Sequence, residues 1–168
     1  MPTPDSHTAL FRGVQTLLAE ALDGPPGEMA FMLNPGDSGL LKQLEGVDAQ
    51  TASSRPFPGR TTVAAHVDHV LYGFELFNRA AAGKPNPWQT ADWTKSWERG
   101  VVDDAQWADL RNRFTDASKV LQRNVRDWKL WDDAAAAGLV SIVAHTMYHF
   151  GAIRQILSAQ NKHSDKPV

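Results

Sequence analysis

Four stretches of this 168-residue chain place apolar side chains at the three- and four-residue spacing of a helix, and breaks containing Gly or Pro separate them. No alternating apolar–polar run occurs, so no half-buried strand is predicted. The first stretch carries Leu10, Phe11, Val14, Leu17, Leu18 and Leu22; Asp5 or Ser6 can cap it, and Gly24-Pro25-Pro26-Gly27 stops it. The second is predicted over residues 61–82, with Thr61 or Thr62 at its cap and Gly83 past its end. The third covers residues 103–128 along Trp107, Leu110, Phe114, Ala117, Leu121 and Val125, with Asp103 and Asp104 at the N-terminal end of its dipole. The fourth runs from residue 133 or 134 to 159 and carries Ile142, Met147, Ile153, Ile156 and Leu157. A polar tail, 161–168, is expected to fray. Each apolar stripe needs a partner, so the expected fold is all-α: a four-helix bundle forming one domain over residues 1–168, with its core between 5 and 160.

The connections differ in kind. Residues 28–59 are rich in Gly, Pro and Ser, and are expected to hold one or two short helical pieces around 38–44 and a loop through Arg55-Pro56-Phe57-Pro58-Gly59. Residues 84–102 contain Pro85, Pro87, Trp88, Trp93 and Trp97 and read as a long crossover. Loops of that length inside compact domains are often functional, which makes it a candidate pocket wall, although core packing is the plainer expectation for its tryptophans.

Composition excludes several classes. Lys and Arg number 17 against 19 Asp and Glu, and a net charge of −2 gives no general attraction to a phosphate backbone, so nucleic acid is not an expected partner. Cysteine is absent, which removes disulfides, thiolate metal sites and cysteine nucleophiles, and leaves nitrogen or oxygen ligands for any metal. The start, Met1-Pro2-Thr3-Pro4-Asp5-Ser6-His7, has neither the basic nor the apolar segment of an export signal. No run approaches the roughly 18 apolar residues of a membrane span. No membrane partner is expected, and a cytoplasmic location is the default.

His145 and His149 carry the sharpest chemical signal. Four residues apart on the fourth helix, they leave the same face one turn apart, on the side of Ile142, Ala152, Ile153 and Ile156. Two core-facing imidazoles at this spacing can reach one cation, and Gly151 leaves little bulk nearby; the plainer alternative is a pair of hydrogen-bonded core histidines. A third ligand should come from the second helix, which offers His66 and His69. His66 sits near the middle of the apolar arc and His69 near its edge, beside Ala65, Tyr72 and Leu76, so periodicity leans to His66 without deciding.

The segment Thr62-Val63-Ala64-Ala65-His66-Val67-Asp68-His69, followed by His145-Thr146-Met147-Tyr148-His149-Phe150-Gly151, resembles the DinB/YfiT-like metalloenzyme family. In that pattern a Ser or Thr opens the second helix, a ligand His follows seven positions later, and a distal His-x-x-x-His-x-Gly element supplies two more. The resemblance implies a metal site of His69, His145 and His149, and it spans the chain from the first helix to Gln160, including the Trp93–Trp107 stretch. Many members read Gly-Gln after the last histidine, where this chain has Gly151-Ala152.

Three imidazoles leave a divalent ion an open coordination position, the arrangement of a catalytic site. Zinc and nickel both suit such ligands. The resemblance implies activation of a thiol or water on a small-molecule substrate, with a low-molecular-weight thiol as a candidate partner; the alternative is a non-enzymatic metal- or ligand-binding protein of the stress response. Family members often pair through helices, and the six tryptophans exceed what one modest core requires, so a homodimer is expected. Tyr72 and Tyr148 could bring a hydroxyl to the metal, although packing is the plainer role. Asp68, Glu75, Arg154, His7 and His163 are expected at the surface.

Overall fold

The computed structural model describes residues 6–128 and 132–164, and among them the chain is all helical, with no strand. The helices are α1 (Ser6–Asp23), α2 (Leu40–Glu45), α3 (Ala49–Ser53), α4 (Val63–Ala81), α5 (Asp104–Arg126) and α6 (Asp133–Ser164), and two 3₁₀ turns, Pro87–Thr90 and Lys95–Trp97, punctuate the crossover between α4 and α5. Expectations for Asp5, for the side chains of Ser6, His7 and His163, and for residues 165–168 lie outside the described residues.

Local chemistry sets the boundaries. Thr62 is the α4 cap, its hydroxyl accepting the Ala65 N–H at 3.1 Å. Asp103 and Gln106 form a reciprocal capping box at the start of α5. Gly24, at φ +97°, ends α1, and a methyl at Gly39 would overlap the backbone of Leu22, Asp23 and Gly24, so this glycine lets the next segment lie directly on the end of α1. Two expectations need correction. The short helical pieces were placed around 38–44, but α3 lies beyond that stretch, where the Asp48 carboxylate accepts the Thr51 N–H at 2.7 Å and caps it. The fourth helix does not stop at 159 but continues to Ser164.

The long helices contact one another in a ring: α4 packs on α5 and α6, and α1 packs on α6 and α5. Their shared core holds Leu18, Leu22, Leu71, Phe74, Leu110, Phe114, Leu121, Phe150 and Ile153, all essentially solvent-free, with the rings of Phe74 and Phe114 stacked at 5.4 Å. Trp107 donates its indole N–H to the Val47 carbonyl at 2.6 Å, tying the α2–α3 link to α5. Of the described helices, α6 alone is long and apolar enough to cross a membrane by composition, with a mean hydropathy of 1.3 over its best window. It is a bundle helix, with Leu139, Ile142, Val143, Phe150 and Ile153 facing its neighbours and an uncharged outer face through Val140, Ser141, Ala144, Tyr148 and Gly151.

Glu20 of α1 is 1% exposed and pins the segment after α1: its carboxylate accepts the N–H groups of Phe31 at 3.1 Å, Met32 at 2.7 Å and Leu33 at 2.7 Å. Burial pushes its pKa up, and the three backbone donors together outweigh that, so the carboxyl titrates below the usual glutamate value. A lowered folded pKa means that its contribution is fully present above the ordinary value of about 4.3 and disappears as pH falls through the lower, folded value. Glu20→Gln should cost roughly 2 kcal/mol at pH 7, because an amide cannot accept all these bonds and brings a donor against donors. In urea unfolding the gap between wild type and variant should narrow below pH 4; a gap independent of pH would show that the carboxylate is not what holds the segment.

Candidate metal centre

Helix α4 presents His66 and His69 toward α6, and α6 presents His145 and His149 back, so the α4–α6 seam gathers four imidazoles. The His145 Nε2 lies 3.1 Å from His69 Nε2 and 3.0 Å from His149 Nε2. One ligand atom from each of these three histidines falls within 4.8 Å of the others, a group that can hold a metal ion, and no further His, Asp or Glu joins it among the described residues. His69 and His149 are buried, at 7% and 2% exposure, while His145 is half-buried. Neighbouring nitrogens around a tetrahedral ion at about 2.0–2.1 Å stand about 3.3 Å apart, so the two close pairs match a coordination edge after a small outward adjustment.

The outer ring nitrogens have protein partners, and for His69 these set the tautomer. The Ser96 hydroxyl donates to the Trp93 carbonyl at 2.6 Å, so its oxygen accepts from His69 Nδ1–H at 2.7 Å, and the His69 Nε2 lone pair is left facing the triad. On the other side His149 Nδ1 meets His66 Nδ1 at 2.9 Å, and His66 Nε2 meets the Thr61 hydroxyl at 2.9 Å. With His66 as the Nε2–H tautomer donating to Thr61, its Nδ1 accepts from His149 Nδ1–H, which frees His149 Nε2 in turn. Both ligand-type nitrogens are thus held and oriented from behind by protein groups, as metal-binding imidazoles usually are. His145 Nδ1 makes no hydrogen bond among the described residues.

Burial disfavours the charged form of all four rings. It lowers the pKa of His66 and His145. Burial, followed by the charges of neighbouring histidines, takes His69 down to about 4 and His149 to about 3. At neutral pH the cluster is therefore uncharged, the state in which imidazole ligates.

The crossover covers one side. Trp97 stacks on His69 at 4.1 Å between centroids and turns an edge to His66 at 5.3 Å, while Trp93 lies 5.7 Å from His69. Arg99 pairs with Asp68 at 3.3 Å, and the Tyr72 hydroxyl accepts the Asp92 N–H at 2.9 Å; both contacts fasten the crossover to α4. On the other side a cavity of about 260 Å³ opens beside His145, lined in part by Trp88 and Trp93, which are 43% and 41% exposed.

Several sequence expectations need revising. His66 and His69 are equally buried, so burial could not choose between them; only His69 belongs to the triad, and His66 stands behind His149. Trp88 and Trp93 wall a cavity rather than fill the core. Tyr72 spends its hydroxyl on the crossover, and Tyr148 is 72% exposed with its ring edge against His149. Asp68 and Glu75 are not simply solvated: they pair with Arg99 and Arg113. Arg154 does lie toward the surface, paired with Asp37 at 3.2 Å. Gly151 faces solvent with no neighbour near its Cβ direction, so it makes no room at the site; Gly73 on α4 is the glycine beside His145. Ala152 lines a separate cleft that includes His66 and Tyr148. Ser96 and Thr61 went unrecognised. The signals available for them were a small hydroxyl residue amid three tryptophans and a second threonine ahead of the cap.

Comparison with protein-family models, with curated proteins and with solved structures finds no match for this chain.

The lowered histidine pKa values predict a stability profile. Below about 6.5 the unfolded chain takes up protons that folded His69 and His149 refuse until about 4 and about 3, so stability is full above 6.5 and falls through that window. Chelator-treated protein should lose unfolding free energy between pH 7 and pH 5.5, and His149→Gln should flatten that loss. Imidazole NMR signals of His69 and His149 should not titrate near 6.5; ordinary titration of both would contradict the desolvated, neutral cluster.

Proposed function

We propose that this protein is a metalloenzyme of the DinB/YfiT-like type, which holds a divalent ion through His69, His145 and His149 and activates a thiol or water for attack on a small electrophile. The observation that carries this reading is the convergence of three Nε2 atoms, two on rings held from behind by Ser96 and His66, with no additional acidic or histidine ligand closing the set among the described residues. Such a bound ion supplies Lewis acidity, lowering the pKa of a water or thiol at its free position. The protein's part is to keep His69 and His149 neutral and aimed, to shield them from solvent with Trp97 and Trp93, and to leave an approach along His145. Zinc and nickel both suit the donor set, and a low-molecular-weight thiol is the candidate co-substrate. One observation favours a second reading, metal or ligand binding without chemistry, as in a stress response: Ala152 brings no polar group where the resembling family often carries Gln.

Purified, tag-free protein should contain about one divalent ion per chain, and His145→Ala or His149→Ala should remove it. His66→Ala should retain the stoichiometry while weakening affinity roughly 10- to 100-fold, the usual effect of losing a group that orients a ligand. If His66→Ala abolishes binding and His69→Ala spares it, the ligand set is wrong. Loaded protein should consume an electrophile in the presence of a thiol, or hydrolyse it, and chelation should stop the reaction; full metal occupancy with no turnover would favour the second reading.

We also propose a homodimer formed through the uncharged outer face of α6, where Val140 and Tyr148 are 52% and 72% exposed. Sedimentation at micromolar concentration should give a dimer that Ala144→Glu dissociates; a wild-type monomer would rule it out.

A further inference from the structure

The cavity beside His145 is walled by Gly73, Phe77, Trp88, Trp93 and Ile142, with Gly138 and Ser141 at its α6 edge. Among the described residues no Asp, Glu, Lys or Arg lines it, in contrast to the cleft behind Ser96, which gathers Asp68, Glu75, Arg99 and Arg113. We propose that this uncharged cavity binds the aromatic ring of a neutral small molecule, the substrate whose reacting group extends past His145 toward the histidine triad. The chemical role rests on the metalloenzyme reading; the binding does not.

A carboxylate would leave water here for aromatic faces that repel it and for a wall that offers no counter-charge among the described residues, a cost that disfavours anions. A ring suits the wall better than an aliphatic group of similar size, because Phe77, Trp88 and Trp93 present π-systems that favour offset and edge contacts with another ring. Size points the same way: a dry cavity of about 150 Å³ accepts benzene, so about 260 Å³ holds a substituted single ring and is too small for a peptide or a nucleotide. Its polar points are neutral. His145 Nδ1 has no protein partner among the described residues, and the Ser141 hydroxyl donates to the Gly138 carbonyl at 3.0 Å, leaving its lone pairs free. They suit an uncharged hydroxyl or carbonyl substituent on the ring.

Gly73 tests the assignment. A Cβ there would lie 3.8 Å from His145 Cε1 and Nδ1, ordinary contact distance, so a methyl at this position takes cavity space without pushing the imidazole away. The experiment titrates benzyl alcohol, benzoate, benzylammonium and cyclohexylmethanol into the full chain by calorimetry or ligand-observed NMR. Chelator-treated protein is used so that benzoate cannot bind an ion directly. Benzyl alcohol should bind at least tenfold more tightly than benzoate, with benzylammonium between them because the rings attract it, and several-fold more tightly than cyclohexylmethanol. Gly73→Ala should weaken that binding several-fold, as should Trp88→Ala, at an exposed wall position whose loss leaves the helices intact. Metal content of both variants should equal wild type. Equal affinity for the four compounds, or binding unaffected by both substitutions, overturns the cavity assignment whatever the metal content. Discrimination by ring and charge in a protein that takes up no metal leaves the cavity standing and overturns the metalloenzyme reading instead.

Discussion

Four imidazoles share the α4–α6 seam, and a dry seam tolerates them only while they stay uncharged. Neutral imidazole has one donor and one acceptor, so each hydrogen bond fixes the next. From one end, the Trp93 carbonyl takes the Ser96 proton and Ser96 takes that of His69; from the other, when Thr61 takes the proton of His66 Nε2, His66 takes that of His149. Both chains end with a lone pair pointing at His145 Nε2. That nitrogen can share at most one proton between two acceptors at 3.1 and 3.0 Å, so the centre of the cluster is short of positive charge. A cation at that point would satisfy what the protein leaves unsatisfied, and this polarity is built into hydrogen bonds far from the centre.

The crossover makes such order possible. It supplies Ser96, the acceptor for one chain, and Trp97, whose ring lies flat on His69. It is itself held by α4, through Asp68 to Arg99 and Tyr72 to the Asp92 N–H. Thus Asp68 and Tyr72, which stand outside the triad, hold the segment that covers the buried histidines. Loss of the Asp68–Arg99 pair would act on the histidines only through this segment, by letting Ser96 and Trp97 drift.

The long helices were legible because their stripes repeat over several turns and their ends carry recognisable chemistry: Thr62 before α4, Asp103 with Gln106 at α5, and Gly24 after α1. α3 was not, since five residues hold too little periodicity and its cap, Asp48 to Thr51, is a short signal in a Ser- and Gly-rich stretch. The His145 and His149 pair could be read from spacing alone. The choice between His66 and His69 could not, because a helix packed on both sides buries a wide arc and leaves the two equally covered. What separates them is where each ring meets the fourth helix, His69 at the Nε2 of His145 and His66 at the outer Nδ1 of His149, a tertiary fact that helical periodicity does not carry. Gly151 misled for a related reason: proximity in sequence to His149 is not proximity in space, and the glycine that lies beside a histidine is Gly73, on the other helix.

The three histidines of the triad are not equivalent. His69 and His149 are buried and have their outer nitrogens engaged, so each ring is held in one orientation. His145 is half-buried, and its Nδ1 has no protein partner among the described residues. It therefore separates two environments, with its Nε2 in the ordered polar network and its ring forming part of the uncharged cavity wall. A group seated in the cavity meets the one imidazole whose outer nitrogen can still respond to it, by donating or accepting. Fixing two rings tightly and leaving the third answerable to the cavity is how the fold can keep a rigid site and yet sense what occupies the space beside it.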